Sequence, residues 1–475
     1  MRRRLPAVGA ALPGGLLAFA FAAHLAGSAG GITAAVPVSA AAILFFIAVT
    51  LRHAAAMVWV FLAVALILIP LALLLAEQPW GHVWDAARRL SFLSALLIAL
   101  VLLRLVALRD PRFEAAGAFL ASRPPSLRYV SLGIGGNLFG VLLNFGGLGL
   151  LLEMTLEGQR RAEAAHPVSA QVHALRQRRI VTAVMRGFAT IAFWSPFGIA
   201  LNTLLLIFPA VHWSDVAPYG LGFAVLILVI GALWDYAERR RMPTAPPGAR
   251  LAGDDDATGA MGLGAVAAHL LVLGAIVLGI DALSDWPFQS ILVSTVPIYA
   301  FLWCVVLRGT AGPSALWHDF SCRAPVSVNE IGVFGLAGLI ATLLIGILPV
   351  ERLEPFIAAL AGGPLGAAGL AVALMWGTVL AALVGLHPII TVAVLGELVF
   401  ETGSDAPAVL VIMALMGGWM CTVILAPLAS TATFVGALVK RSVFVVTFGW
   451  NGAFGALLLA VLSLCLVVLA IGGGG

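Results

Sequence analysis

Long apolar runs separated by short clusters of charge alternate along the whole chain. Nearly every run reaches the roughly 20 apolar residues that a helix needs to cross a hydrocarbon core. In lipid such runs have to be helices, because unpaired backbone groups find no water to bond. Basic clusters mark cytoplasmic ends. On that rule Arg2 to Arg4 lie inside, helix 1 leaves, helix 2 returns to Arg52 and His53, and helix 3 leaves toward Glu77 to His82. Helix 4, about 90 to 108, returns to Arg109 and Arg112. The apolar stretch after Arg4 has features of a cleavable signal, but a retained first helix is expected, as is common in polytopic proteins.

The next apolar stretch, about 126 to 157, has basic residues at both ends. Arg123 and Arg128 precede it, and Arg160, Arg161, Arg176, Arg178 and Arg179 follow. With Gly135-Gly136-Asn137 and Asn144-Phe145-Gly146-Gly147 in its middle, it predicts a re-entrant hairpin from the cytoplasmic side, tolerable only where buried in protein or lining a cavity. Helix 5, about 180 to 208, then runs outward through Trp194-Ser195-Pro196, and helix 6 returns to Arg239-Arg240-Arg241. Met242 to Thr258, with Pro, Gly and Asp254-Asp255-Asp256, reads as a linker.

In the second half helix 7 exits to Asp281 and Asp285, and helix 8 returns to Arg308. An amphipathic piece with Trp317, His318 and Arg323 is expected at the inner surface, and helix 9 exits to Glu351 and Glu354. The stretch from about 364 to 402 has acidic residues at its ends and Gly385-Leu386-His387-Pro388 in the middle, the mirror hairpin entering from outside. Helix 10 passes Ala426-Pro427 to Lys440-Arg441, and helix 11 takes the C-terminus outside. The expected fold is an all-α polytopic membrane protein with about eleven transmembrane helices plus two re-entrant hairpins in an inverted repeat. Its parts are N-terminal scaffold helices over 1–84, a first repeat over 85–241, the linker over 242–258, scaffold helices over 259–327 and a second repeat over 328–475.

Two segments within those helices read alike. Gly187-Phe188-Ala189-Thr190 followed by Trp194-Ser195-Pro196-Phe197-Gly198 and Asn202-Thr203 is echoed by Gly418-Trp419-Met420-Cys421, then Leu425-Ala426-Pro427-Leu428-Ala429-Ser430-Thr431-Ala432-Thr433. Hydrophobic segments interrupted by Gly and Pro at corresponding places in two halves point to the binding site of a secondary transporter.

Composition agrees and removes other classes. The chain is 62% hydrophobic and 10% charged, with a mean hydropathy of +1.08, whereas soluble domains are about 25% charged. The net charge of +4 is spread over clusters beside apolar runs, which orient helices and form no nucleic-acid face. Cys304, Cys322, Cys421 and Cys465 lack CxxC or His spacing, so no disulfide or metal site is expected. An enzyme would need an acidic cluster in a sizeable aqueous loop, and the loops are short.

Breaking a helix in mid-membrane exposes amides that favour anions and carbonyls that suit sodium. The side chains beside the breaks are polar and neutral: Asn137, Asn144, Ser195, Asn202 and Thr203 in one half, Ser430, Thr431 and Thr433 in the other. With His387 at the outer tip, they are the expected substrate and ion ligands. Arg186 could pair with an anionic substrate, but its closeness to Arg179 favours snorkelling to the cytoplasmic surface, as expected of Arg104 near the inner end of helix 4, and no Asp or Glu is expected at mid-depth.

In architecture the chain resembles the ion transporter superfamily, which includes divalent-anion and sodium symporters, citrate carriers, arsenite pumps and related sodium/proton antiporters. The likeness covers about 85 to 208 and 328 to 440, in the hairpin-then-broken-helix order. Members similar to the dicarboxylate carriers have Ser-Asn-Thr at each tip, where this chain has Leu143-Asn144-Phe145-Gly146 and Leu386-His387-Pro388-Ile389. The resemblance implies a homodimer in which a transport domain moves past a scaffold.

Together these features predict a non-enzymatic, ion-coupled secondary transporter of a small carboxylate-type anion in the inner (plasma) membrane, driven by sodium or protons, with no other cofactor. Its partners would be the bilayer and the anion. The alternatives are a sodium/proton antiporter or oxyanion-efflux permease of the same architecture, or a polytopic membrane enzyme.

Overall fold

The computed structural model describes residues 7–124, 126–165, 167–240, 256–363 and 365–472, and among them every regular element is helical. Arg2 to Arg4 and the expected linker, apart from 256–258, lie outside the described residues. Among the described residues ten segments are long and apolar enough to cross a membrane. The chain is an all-α polytopic membrane protein.

The first part consists of α1 (Ala7–Ser28), α2 (Ala35–Thr50), α3 (Ala56–Leu75) and the long α4 (Pro79–Ala107). A short helix, α5 (Pro111–Ser122), follows. It starts at Asp110, whose carboxylate accepts from the Arg112 N–H at 3.0 Å, with Pro111 preset for the first turn. Next come a helix pair, α6 (Arg128–Leu143) and α7 (Phe145–Ala165), and a helix broken into α8 (Ala170–Ala189), α9 (Ile191–Trp194) and α10 (Ile199–Ile207). This part closes with α11 (Trp213–Arg240).

After α12 (Asp256–Leu283) and α13 (Phe288–Arg308) the same order recurs. Long α14 (Gly312–Ile347) and short α15 (Val350–Ala361) lead to the pair α16 (Ala367–Leu383) and α17 (Pro388–Glu401). The second broken helix is α18 (Ala408–Leu425) with α19 (Ser430–Val439), and α20 (Trp450–Gly472) follows a π-helical turn at Val445–Gly449. Trp317, His318 and Arg323, expected on a separate surface helix, belong to the first turns of α14. At about 1.5 Å per residue its 36 residues outrun a hydrocarbon core of about 30 Å, so those turns continue the helix beyond it.

Burial distinguishes the interior helices from the lipid-facing ones. The apolar window of α4 is 94% buried and those of the broken helices 78% and 83%, against 17% for α12. The two interrupted helices are therefore central, and α4 and α14 pack lengthwise against each other beside them.

Helices α6 and α8 meet backbone to backbone. A Cβ on Gly187 would lie 2.0 Å from the Gly133 carbonyl oxygen, and one on Gly136 2.4 Å from that of Val184. Small residues at such a crossing replace side-chain interdigitation with direct backbone contact. At the far end of α8, Arg179 grips Asp235 of α11 with two bonds of 2.7 Å, and Arg178 reaches Glu238 at 2.7 Å.

Candidate functional site

Both interruptions are built alike. Proline has no N–H to continue a helix, and at Pro196 and Pro427 the chain leaves the helical path after Ser195 (φ −63°, ψ 123°) and Ala426 (φ −84°, ψ 118°). It re-enters through Gly198 (φ −68°, ψ 121°) and Ala429 (φ −62°, ψ 141°). The hydrogen bonds match as well. Gly198 N–H donates to Ser195 O at 3.0 Å as Ala429 N–H donates to Ala426 O at 3.1 Å. Asn202 N–H reaches Gly198 O at 3.0 Å as Thr433 N–H reaches Ala429 O at 3.1 Å.

Neither restarting helix has a side-chain cap. The first N–H groups of an α-helix have no partner within it, so α10 and α19 present uncapped amides at the breaks. The carbonyl side of the first break is better supported. Asn202 donates its side-chain amide to Pro196 O (2.8 Å) and Gly198 O (2.9 Å), and the Trp213 indole donates to Trp194 O (2.9 Å).

The turns of the two helix pairs reach the same place. Between α6 and α7 lies Asn144 at φ 51°, ψ −133°, one of two non-glycine residues with positive φ among the described residues. Such a conformation costs on the order of 1 to 3 kcal/mol and clusters at functional sites. Its carbonyl accepts from Gly147 and Leu148 N–H, at 3.0 and 3.3 Å. Between α16 and α17, His387 caps α17 by accepting the Ile389 N–H on Nδ1, at 3.4 Å. The ring stands edge-on to Phe61, Phe334 and Trp419, with centroids 5.8, 5.6 and 6.4 Å away.

The two turns and two breaks enclose one cavity of about 100 Å³. Of the residues expected as ligands, Asn144, Ser195, His387, Ser430 and Thr431 line it, while Asn137, Asn202, Thr203 and Thr433 do not. Asn137 is buried in the α6–α8 contact, donating to Thr190 Oγ1 at 2.8 Å. Thr203 and Thr433 return their hydroxyls to carbonyls of their own chain one turn back, Ile199 O and Ala429 O. Ser195 Oγ accepts the Phe197 N–H at 3.3 Å. The side chains of Asn144, Ser430 and Thr431 have no hydrogen-bond partner among the described residues.

Phe145, Phe188, Phe334 and Trp419 complete the wall. Sequence reasoning missed these aromatics, because in a chain this apolar an aromatic carries no distinguishing signal. No Asp, Glu, Lys or Arg side chain lines the cavity among the described residues. The local field comes from helix ends, each N-terminus being equivalent to roughly half a positive charge. Those of α7, α10, α17 and α19 all open here.

Two expectations about charge need correction. Arg104 does not snorkel: it is buried and pairs with Glu330 of α14, Nη1 to Oε1 at 2.8 Å and Nη2 to Oε2 at 3.2 Å. Arg186 is buried too, with Nε donating to Asn451 Oδ1 at 2.9 Å and the guanidinium 3.7 Å over the Phe454 ring. Two carboxylates find basic partners within the bundle: Glu330 of α14, its side chain 27% exposed, pairs with Arg104, and Glu397 of α17 pairs with Arg89 of α4. The basic residues drew attention only as surface signals, and their partners lie more than two hundred residues away.

No protein-family model matches this sequence, and no curated protein matches it. Among solved structures the chain is similar to the crystal structure of the Alcanivorax borkumensis YdaH transporter, which was described as having an unusual topology. The TM-score is 0.59 at 14% identity, over 89% of this chain and 99% of that one. At that identity what the two share is the fold, and it is the fold of a membrane transporter.

Proposed function

We propose that this chain is a secondary active transporter of a small carboxylate-type anion, coupled to an ion gradient and working by alternating access. One observation carries it: four helix N-termini and three unpartnered polar side chains face a single cavity with no acidic group in its wall. Such a site favours a carboxylate and offers little to a bare cation. Asn144, Ser195, His387, Ser430 and Thr431 are the ligands under this reading, and Asn137, Asn202, Thr203 and Thr433 hold the surrounding backbone.

The recurring element order and the identical bonding of the two breaks support an inverted repeat, with α6–α7 and α16–α17 as re-entrant hairpins. With α13 and α14 counted as separate passes, the ten apolar segments among the described residues support a count of eleven crossings, and the proposed orientation puts the N-terminus inside and the C-terminus outside. The same order supports the resemblance to the ion transporter superfamily, with the repeats over 85–241 and 328–475 and scaffold helices over 1–84 and 259–327. A homodimer belongs to that reading, as do the inner membrane and a sodium or proton coupling ion.

A sodium/proton antiporter or oxyanion permease is the second reading, and Glu330 favours it. Glu330 does not line the cavity, so the anion carrier is preferred. Proteoliposomes offered mono- and dicarboxylates under separate sodium and proton gradients test it. Gradient-driven uptake of at least one anion is expected; no such flux for any of them refutes it.

A further inference from the structure

Charge lies just outside the cavity wall. Leu100 of α4 and Phe334 of α14 both line the cavity. Arg104 follows the first by four residues and Glu330 precedes the second by four, one turn or about 6 Å along each helix. Residues four apart share a helix face, so both charged side chains lie on the cavity-facing stripes of their helices.

Their contact is bidentate, at 2.8 and 3.2 Å. Arg104 is 7% exposed, and its Nε has no hydrogen-bond partner among the described residues. The turn that carries Asn144 rests directly on it, since a Cβ on Gly146 would lie 2.6 Å from Arg104 Cδ. With the Arg104 side chain 9% and the Glu330 side chain 27% exposed, the pair is a weak source of stability, because apolar residues of similar volume often serve as well or better. Ionisable groups inside a membrane protein instead mark ion and substrate pathways.

We propose that Glu330 is the proton-coupling residue of this cavity and that Arg104 is the cation it shields until the anion arrives. The inference rests on the anion-transport reading above and deepens it. In the empty state ionised Glu330 occupies the guanidinium fork. When Glu330 takes a proton from water onto a carboxylate oxygen, the fork is released and the incoming carboxylate becomes its partner. The guanidinium is balanced by one negative charge in both states. For a monocarboxylate the empty and loaded sites therefore have the same net charge, and transport with one proton is electroneutral.

The surroundings leave few competing groups. Helices α2 and α3, both packed on α14, carry no titratable side chain. From α4, Arg104 is the group at Glu330, while Arg89 is engaged with Glu397 of α17. His387 at the start of α17 faces Phe334. His24 of α1 is bound to Ser91, and His53, between α2 and α3, meets α14 through its carbonyl at Asn329. Arg308 ends α13, and on α14 itself Asp319 pairs with Arg109, with Arg323 two turns before Glu330.

The test measures proton uptake by the purified full-length protein in weakly buffered detergent, with a pH-indicator dye, on addition of acetate, benzoate, succinate or citrate. About one proton taken up per bound monocarboxylate is expected, with affinity that falls as the pH is raised. E330Q is expected to bind the same anion with pH-independent affinity and no proton uptake. Binding without proton uptake by the wild type, or wild-type uptake by E330Q, overturns this inference alone. If the wild type binds none of the anions, the transport reading falls and takes this one with it. Should E330Q fail to fold, Glu330→Asp is expected to shift the pH of half-maximal proton uptake, and an unshifted profile overturns the assignment.

Discussion

Ala429 offers a perturbation whose effects on stability and transport should have opposite signs. It occupies the N-cap position of α19 in an extended conformation, φ −62° and ψ 141°, with no side chain able to accept a hydrogen bond. A serine there adopts the same backbone and places its hydroxyl against the N–H of Thr431 or Ala432. Filling an empty cap contributes about 1 kcal/mol. Because 1 kcal/mol moves Tm by roughly 2 to 4 °C in chains of 150 to 250 residues and by less in longer ones, a rise of about 1 to 2 °C is expected. If the solute anion uses that same amide, A429S removes one hydrogen bond to a charged group, worth about 1.5 to 3 kcal/mol. That is a loss of about 10- to 100-fold in affinity. Fluorescence-monitored unfolding in detergent and proteoliposome uptake read the two effects, and A429C, which adds an atom of similar reach but accepts weakly, controls for bulk. A more stable A429S with wild-type uptake would refute the reasoning, as would equal losses in A429S and A429C.

Three further substitutions separate scaffold from site. Asn144→Gly relieves the positive φ and should raise stability by about 1 kcal/mol while lowering uptake, measured by thermal unfolding and flux. Asn202→Leu removes the side-chain donor from the Pro196 carbonyl, leaving Gly198 O its backbone partner, and should cost about 1 to 3 kcal/mol, seen as a lower Tm that added substrate restores only in part. Gly187→Ala forces a methyl into the Gly133 carbonyl and should cost at least about 1 to 3 kcal/mol, seen as aggregation in size-exclusion chromatography.

What the sequence made legible follows the range of each signal. The breaks were readable because Pro196 and Pro427 act on their own backbone, and the structure places them in matching conformations. Asn144 and Thr431 stand out because a polar residue beside a break is conspicuous in an apolar chain, and both line the cavity. Thr203 and Thr433 looked the same, yet their hydroxyls bond one turn back, a choice that depends on rotamer and escapes composition. Arg104 and Glu330 were missed because a pair 226 residues apart leaves no local trace. Each looked like the charged end of a separate helix. The aromatic wall was missed because hydrophobicity alone does not say which Phe or Trp faces a cavity.

The glycine contact between α6 and α8 bears on how such a molecule could move. With no layer of side chains between the two backbones, sliding one helix along the other would drive carbonyl into Cα, so the pair translates as a single rigid body. Where α7 begins, the packing against α4 is of another kind, Gly146 resting on the long side chain of Arg104. On the transport reading proposed above, motion is expected at that seam, and a crosslink between α7 and α4 should abolish uptake where one between α6 and α8 leaves it unchanged.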